Sequence, residues 1–184
     1  MNTNILITVN KSIETQLEHH CKKWRYDRNL FRIAAANLKM PCPAMPLFWT
    51  PLIEENKIIT CKQATQQFLL KYTMNIISIH ARLYQFHAAF LRELHCAMTL
   101  YKVNPFCEVI KNHWMDLNRN TDFTYKFAGK EINLAVCHRG QVSQNYRSKK
   151  KHKTLDKVTA IFADEKFYDV DVISEQQIKD AILM

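Results

Sequence analysis

Apolar residues fall at helical spacing through most of the first hundred positions. Ile13, Leu17, Cys21 and Trp24 recur every three or four residues behind Ser12, which predicts an amphipathic helix over 12–24 with Lys22, Lys23 and Arg25 on its polar side. A second helix is predicted from Arg28 to Leu38, with Leu30, Ile33, Ala34 and Leu38 along one side and the proline run from Pro41 to Pro46 as its stop. Two short helices with so tight a join permit a helix-turn-helix. Beyond Pro51, Cys61, Ala64, Phe68, Tyr72, Ile76, Ile79, Leu83, Phe86, Phe90, Leu94, Met98 and Tyr101 keep the same spacing. No Gly or Pro interrupts positions 61 to 101, so the pattern predicts either two helices broken around Asn75 to Ser78 or one extended helix used in assembly.

Asn104-Pro105 closes that region, and Val109, Ile110, Trp114 and Leu117 predict a short helix after it. The period then changes from about 3.6 to two. Phe123, Tyr125 and Phe127 alternate, Gly129 allows a turn, and Ile132, Leu134 and Val136 alternate again, which reads as a β-hairpin. Val158, Ile161 and Phe162 add apolar positions, Phe167 to Ile173 alternates like a strand, and Ser174 with Gln177 forms a capping box that opens a last helix. The expected fold class is mainly α: helix-turn-helix-like helices at the N-terminus, long central helices, and a C-terminal β-hairpin with a basic tract. The expected organisation is a helical domain over 1–118, followed by the hairpin, basic tract and acidic tail over 119–184.

Charge sharpens this picture. The hairpin leads directly into Arg139, Arg147, Lys149, Lys150, Lys151, His152 and Lys153. Up to Lys153 there are 23 Lys and Arg against 10 Asp and Glu, a net +13, whereas the remainder is acidic and brings the chain to +9. Such a body is attracted to a polyanion, and nucleic acid is favoured over a membrane surface because no amphipathic basic helix or lipidation motif accompanies the charge. With 47% hydrophobic residues the chain has material for a real core.

Several functions lack their raw material. Only Gly129 and Gly140 are glycines, so the phosphate-cradling loops of nucleotide enzymes cannot be built. No local catalytic motif is present, and the chain reads as a non-enzyme. Residues 1–10 offer no signal peptide and no membrane span, which predicts a cytoplasmic protein. Six cysteines are scattered without a CxxC pair, as expected for reduced thiols. His19, His20 and Cys21, the pair Cys137 and His138, and the spaced His80, His87 and His95 are the groups that invite a metal, but none supplies two clean ligand pairs.

The order of these features resembles the C subunit of the flagellar master transcription activator, the FlhC family. Arg28 to Leu38 resembles its N-terminal helix-turn-helix-like segment, and Pro41 to Pro46 with Leu47-Phe48 its proline-rich connector. Gln66-Gln-Phe-Leu-Leu70 and Ala81-Arg-Leu-Tyr84 are similar to two motifs of its central helices, and Phe123 to Cys137 with the basic tract Arg147 to Lys153 resembles its zinc-bearing hairpin. The resemblance covers roughly residues 12 to 153 and implies a subunit that binds double-stranded promoter DNA, assembles with a small helical D-type partner, and recruits RNA polymerase. Relatives on conjugative plasmids and integrative elements switch on transfer genes, and the divergent sequence suits that setting. Zinc is not carried over, because only Cys137 matches a ligand position.

Backbone phosphates are expected to meet Arg139, Arg147, Lys149, Lys150, Lys151 and Lys153, and base edges to meet Arg25, Arg28, Asn29 and Arg32. The alternative is an RNA-binding or structural assembly protein, with Tyr125, Phe127 and Tyr146 as stacking groups in the RNA case.

Overall fold

A computed structural model describes residues 4–35, 46–112, 121–138 and 158–183. The chain divides into two compact units. A helical unit takes residues 10–91 and 168–170, and a sheet unit takes residues 1–9, 92–167 and 171–184.

Among the described residues, five helices build the helical unit. They are α1 (Lys11–Lys23), α2 (Arg28–Ala35), α3 (Pro46–Glu55), α4 (Cys61–Leu69) and α5 (Ile76–Val103), with the unit boundary falling inside α5 after Leu91. Asn10 rather than Ser12 caps α1, its side chain accepting from the Ile13 N–H at 3.0 Å. Thr60 and Gln63 form a capping box at α4, which spares two N–H groups that no helical carbonyl can reach. Of the two alternatives left open for 61–101, the chain takes the break. Asn75 starts α5 by accepting the Ser78 N–H on its side chain and the Ile79 N–H on its carbonyl. The core gathers Ile13, Leu17 and Cys21 from α1, Phe48 and Trp49 from α3, Phe68 from α4, and Ile79, Leu83 and Phe90 from α5. Phe90 is its centre, with ring centroids 5.6 Å from Phe48 and 5.1 Å from Trp49.

The sheet unit overturns the expectation of a mainly α fold. Its five-stranded mixed sheet runs β1 (Asn4–Leu6), β2 (Glu108–Asn112), β3 (Phe123–Phe127), β4 (Lys130–Cys137) and β5 (Val158–Phe162), in that order across the sheet. The first three pairings are antiparallel and β4–β5 is parallel. A two-stranded hairpin, β6 (Glu165–Phe167) with β7 (Val170–Val172), and helix α6 (Glu175–Leu183) follow, making the chain α+β.

The expected hairpin exists, but as the middle of this sheet rather than as a separate ribbon. Phe127 pairs with Lys130, leaving a two-residue turn whose residues both have positive φ, 49° at Ala128 and 78° at Gly129. That is a type I′ turn, and glycine meets its demand without strain. The short helix expected around Val109 and Ile110 is instead β2, because Val109 and Lys111 are buried on one face and both edges of the strand find partners. Trp114 and Leu117, which suggested the helix, lie outside the described residues.

Phe167 to Ile173 splits into a tight hairpin, with Tyr168 at φ 56° in the turn. Ser174 does cap α6, accepting the Gln177 N–H at 3.2 Å, but Gln177 turns its side chain to the Phe162 N–H instead of closing a box. Asp164 takes over, accepting the Ser174 N–H and hydroxyl at 2.7 and 2.6 Å.

Candidate nucleic-acid interface

A group of exposed cations lies where α1 gives way to α2. Lys22 and Lys23 close α1, where positive charge favours the carbonyl end of the helix dipole. The link Trp24–Asp27 is held down by aromatic contacts. Trp24 is buried and stacks on Tyr84 at 5.7 Å, Phe31 meets Tyr84 edge-on at 6.2 Å, and Tyr26 lies 4.9 Å from Phe31. The Tyr84 hydroxyl donates to the Arg25 carbonyl, and the Gln85 side chain reaches the Phe31 carbonyl. The orientation of α2 is therefore fixed by α5, so binding need not order the helix itself, only its side chains.

Asp27 caps α2, its carboxylate accepting the N–H groups of Asn29 and Leu30 at 2.8 and 3.0 Å. An incoming phosphate would meet that carboxylate at the helix start, so anion contacts here must come from side chains. Arg28, Asn29 and Arg32 are all exposed. Arg28 and Arg32 stand one turn apart, and such a like-charge pair costs a few tenths of a kcal/mol until an anion neutralises it. Among the described residues, neither they nor Lys22 and Lys23 are paired with a carboxylate.

Arg25 is employed differently from the sequence expectation. Its guanidinium donates to the carbonyls of Lys22 at 2.6 Å and Trp24 at 2.8 Å, and Asp169 lies 3.6 Å away. It caps the C-terminus of α1.

Arg139, Arg147, Lys149, Lys150, Lys151 and Lys153 lie outside the described residues, as does Tyr146. The flanking strands are described. Asn133 pairs with Val158 and Cys137 with Phe162, so the strands that flank positions 139–157 in sequence are parallel neighbours. Just after β4, His138 Nε2 meets Asp171 Oδ2 at 2.7 Å, and Arg92 donates to the Asp171 carbonyl at 3.0 Å. The run Val-Thr-Ala-Ile-Phe at 158–162 was the available signal for the returning strand.

One charged pair was missed entirely. Lys111 on β2 is fully buried, with Nζ 2.9 Å from Glu93 Oε2 on α5, 3.4 Å from the Asp122 carbonyl, and over the Phe123 ring at 5.2 Å. A lysine in sequence reads as surface, and nothing local reveals that a glutamate eighteen positions earlier will meet it.

His80 contacts Thr65 and Cys61, His87 lies between His20 and Phe48, and His95 lies against Thr99 and Phe167. Burial pushes the Cys21 and Cys61 thiols up to about 12 and Cys107 to about 11, which keeps them protonated. Among the described residues, no three His, Cys, Asp or Glu side chains converge as metal ligands. No described helix is long and apolar enough to cross a membrane. Tyr125, one of the expected stacking groups, is buried with its hydroxyl on Asn104, whereas Phe127 is exposed. The chain matches no protein-family model, no curated protein and no solved structure.

Proposed function

We propose that this protein binds double-stranded DNA through its phosphate backbone and serves as the DNA-binding subunit of a transcription activator. The observation that carries the reading is the exposed set of Lys22, Lys23, Arg28 and Arg32, none of them ion-paired with a carboxylate among the described residues, held on a helix pair that aromatic packing has already fixed. The +13 balance up to Lys153, most concentrated in the tract from Arg139 to Lys153, supports it with long-range attraction. Asn29, exposed beside Arg28, has the donor and acceptor that adenine presents in reverse on its major-groove edge. Assembly with a D-type subunit and recruitment of RNA polymerase belong to the same proposal and rest on the resemblance in sequence.

Anisotropy titrations of the whole chain against a labelled duplex and the matching single strand, over a range of salt, test this. For duplex, log K against log[salt] should fall steeply, and the double variant R28E/R32E should lower that slope by about 2. Tighter binding to the single strand, or a slope unmoved both by R28E/R32E and by K149E/K150E/K151E, overturns the reading. Promoter occupancy in cells that disappears without the partner subunit would support the activator part, and occupancy independent of any partner would remove it.

A further inference from the structure

The five-stranded sheet has β1 at one edge and β5 at the other. An edge strand carries a row of N–H and C=O groups without a neighbouring strand, and another chain can pair with them unless something engages them first. The two edges differ in this respect. At β5 the Phe162 N–H is taken by Gln177 of α6, whose side-chain oxygen accepts it at 3.2 Å. At β1 the Ile7 N–H donates to the Val109 carbonyl at 2.9 Å, so the antiparallel alternation also turns Ile5 toward β2 and directs the N–H and C=O groups of Asn4 and Leu6 away from the sheet. Among the described residues no strand lies beyond them, and Asn4 is exposed and Leu6 55% exposed.

The usual guards of an open edge are missing. Positions 2–10 hold no charged side chain and no proline, and no bulge interrupts the pairing of Asn4–Leu6 with β2. The strand is nevertheless firmly held. The Tyr101 hydroxyl donates to the Ile7 carbonyl at 2.6 Å, and the Asn112 side chain donates to Asn4 Oδ1 at 2.6 Å. An edge already ordered in this way loses little freedom when a second strand joins it.

We infer that this edge is a homodimer interface, in which β1 pairs antiparallel with β1 of a second copy about a two-fold axis at Ile5. The strand is complementary to itself in that register. Asn4 faces the partner's Leu6 and Leu6 the partner's Asn4, so the two outward N–H and two outward C=O groups of each chain are all satisfied by those of the other. Ile5 faces the partner's Ile5 at the closely spaced, non-hydrogen-bonded position, where β-branched side chains pack well. On the other face Leu6 and the partner's Leu6 are diagonal neighbours, each beside a half-buried Ile110. The lack of charge is what favours a second copy, since two identical strands bring no like charges together, whereas an acidic or basic partner strand finds nothing to pair with. The inference does not depend on how the chain meets nucleic acid.

Sedimentation equilibrium of the whole chain without nucleic acid, from about 1 to 200 µM, tests it. So short an edge makes a weak, reversible contact, and the mass should rise from one chain to two with a dissociation constant on the order of tens of micromolar. The +9 charge of each chain opposes the encounter, so added salt should strengthen the dimer, the reverse of its effect on phosphate contacts. L6K should weaken association at least ~tenfold, and L6P, which removes an N–H that bonds nothing in β2, should do the same, both with the melting temperature of the monomer unchanged. In a mixture of isotope-labelled and unlabelled chains, NMR should show methyl contacts between Ile5 and the partner's Ile5. A mass that stays at one chain, a mass that climbs past two, a dimer that survives both L6K and L6P, or a mixed sample whose intermolecular contacts lie away from Ile5 would each overturn the inference.

Discussion

Acid should destabilise the helical unit through one imidazole, His87. It is 5% exposed on α5, its ring centroid 5.3 Å from Phe48 and 5.7 Å from His20, and its Nε2 has no hydrogen-bond partner among the described residues. Burial, reinforced by repulsion from His20, drives its pKa from 6.5 down to about 3. The folded state thus refuses a proton that the unfolded chain accepts. This contribution is fully present above pH 6.5, is lost as the pH falls below it, and stops changing near pH 3, where the folded protein protonates too. At 1.36 kcal/mol per pH unit the full difference approaches about 5 kcal/mol, of which about 2 kcal/mol is already gone at pH 5.

His20 and His95 are also lowered by burial, His95 to about 4, so the whole chain loses more than this. The variant H87F isolates the one group, since phenylalanine keeps the stacking shape and cannot charge. Urea unfolding of both proteins from pH 7.5 to 5 measures the difference. H87F should gain about 2 kcal/mol on the native protein over that range. Parallel stability curves for the two proteins would refute the argument.

Three further outcomes follow from local geometry. At Ala128, φ 49° in the type I′ turn, A128N should raise stability by about 0.5 kcal/mol and G129A should lower it by about 1 kcal/mol, both read from thermal melting. Removing the Lys111 ammonium in K111M leaves the Glu93 carboxylate buried and should cost about 3–5 kcal/mol, whereas K111M/E93L should recover most of it. If K111M alone were neutral in a denaturant titration, the ion pair would have no part in holding α5 to the sheet. Losing the Ser174 cap of α6 in S174A should cost about 1 kcal/mol, and amide exchange in α6 should quicken with it.

What could be read along the chain was whatever depends on near neighbours. The i, i+4 apolar stripe marked α1, Arg28 started α2, Asn75 marked the break before α5, and Gly129 marked the hairpin turn. The sheet could not be read, because its cause is distant. The three residues of β1 have no signature of their own and become a strand only by pairing with β2, as Asn4 does with Asn112. Glu108 to Asn112 carries two β-branched residues, too few to outweigh a helical reading that extended it to Trp114 and Leu117. The exposure of the candidate residues was legible to a similar depth. Arg28, Asn29 and Arg32 were placed on an exposed helix as expected, while the capping role of Arg25 follows from the end of α1, which spacing alone did not locate.

The pairing of β1 with β2 also sets a timetable at the ribosome. Residues 10–91 form nearly all of the helical unit and emerge as one continuous stretch, so that unit can close while synthesis continues. Leu6, whose partner is Ile110, has to wait for about a hundred more residues, which at 5–20 residues per second is about 5–20 s. Throughout that interval Ile5 and Ile7, a strand in waiting with no sheet to join, are left to whatever chaperone or neighbouring chain reaches them first.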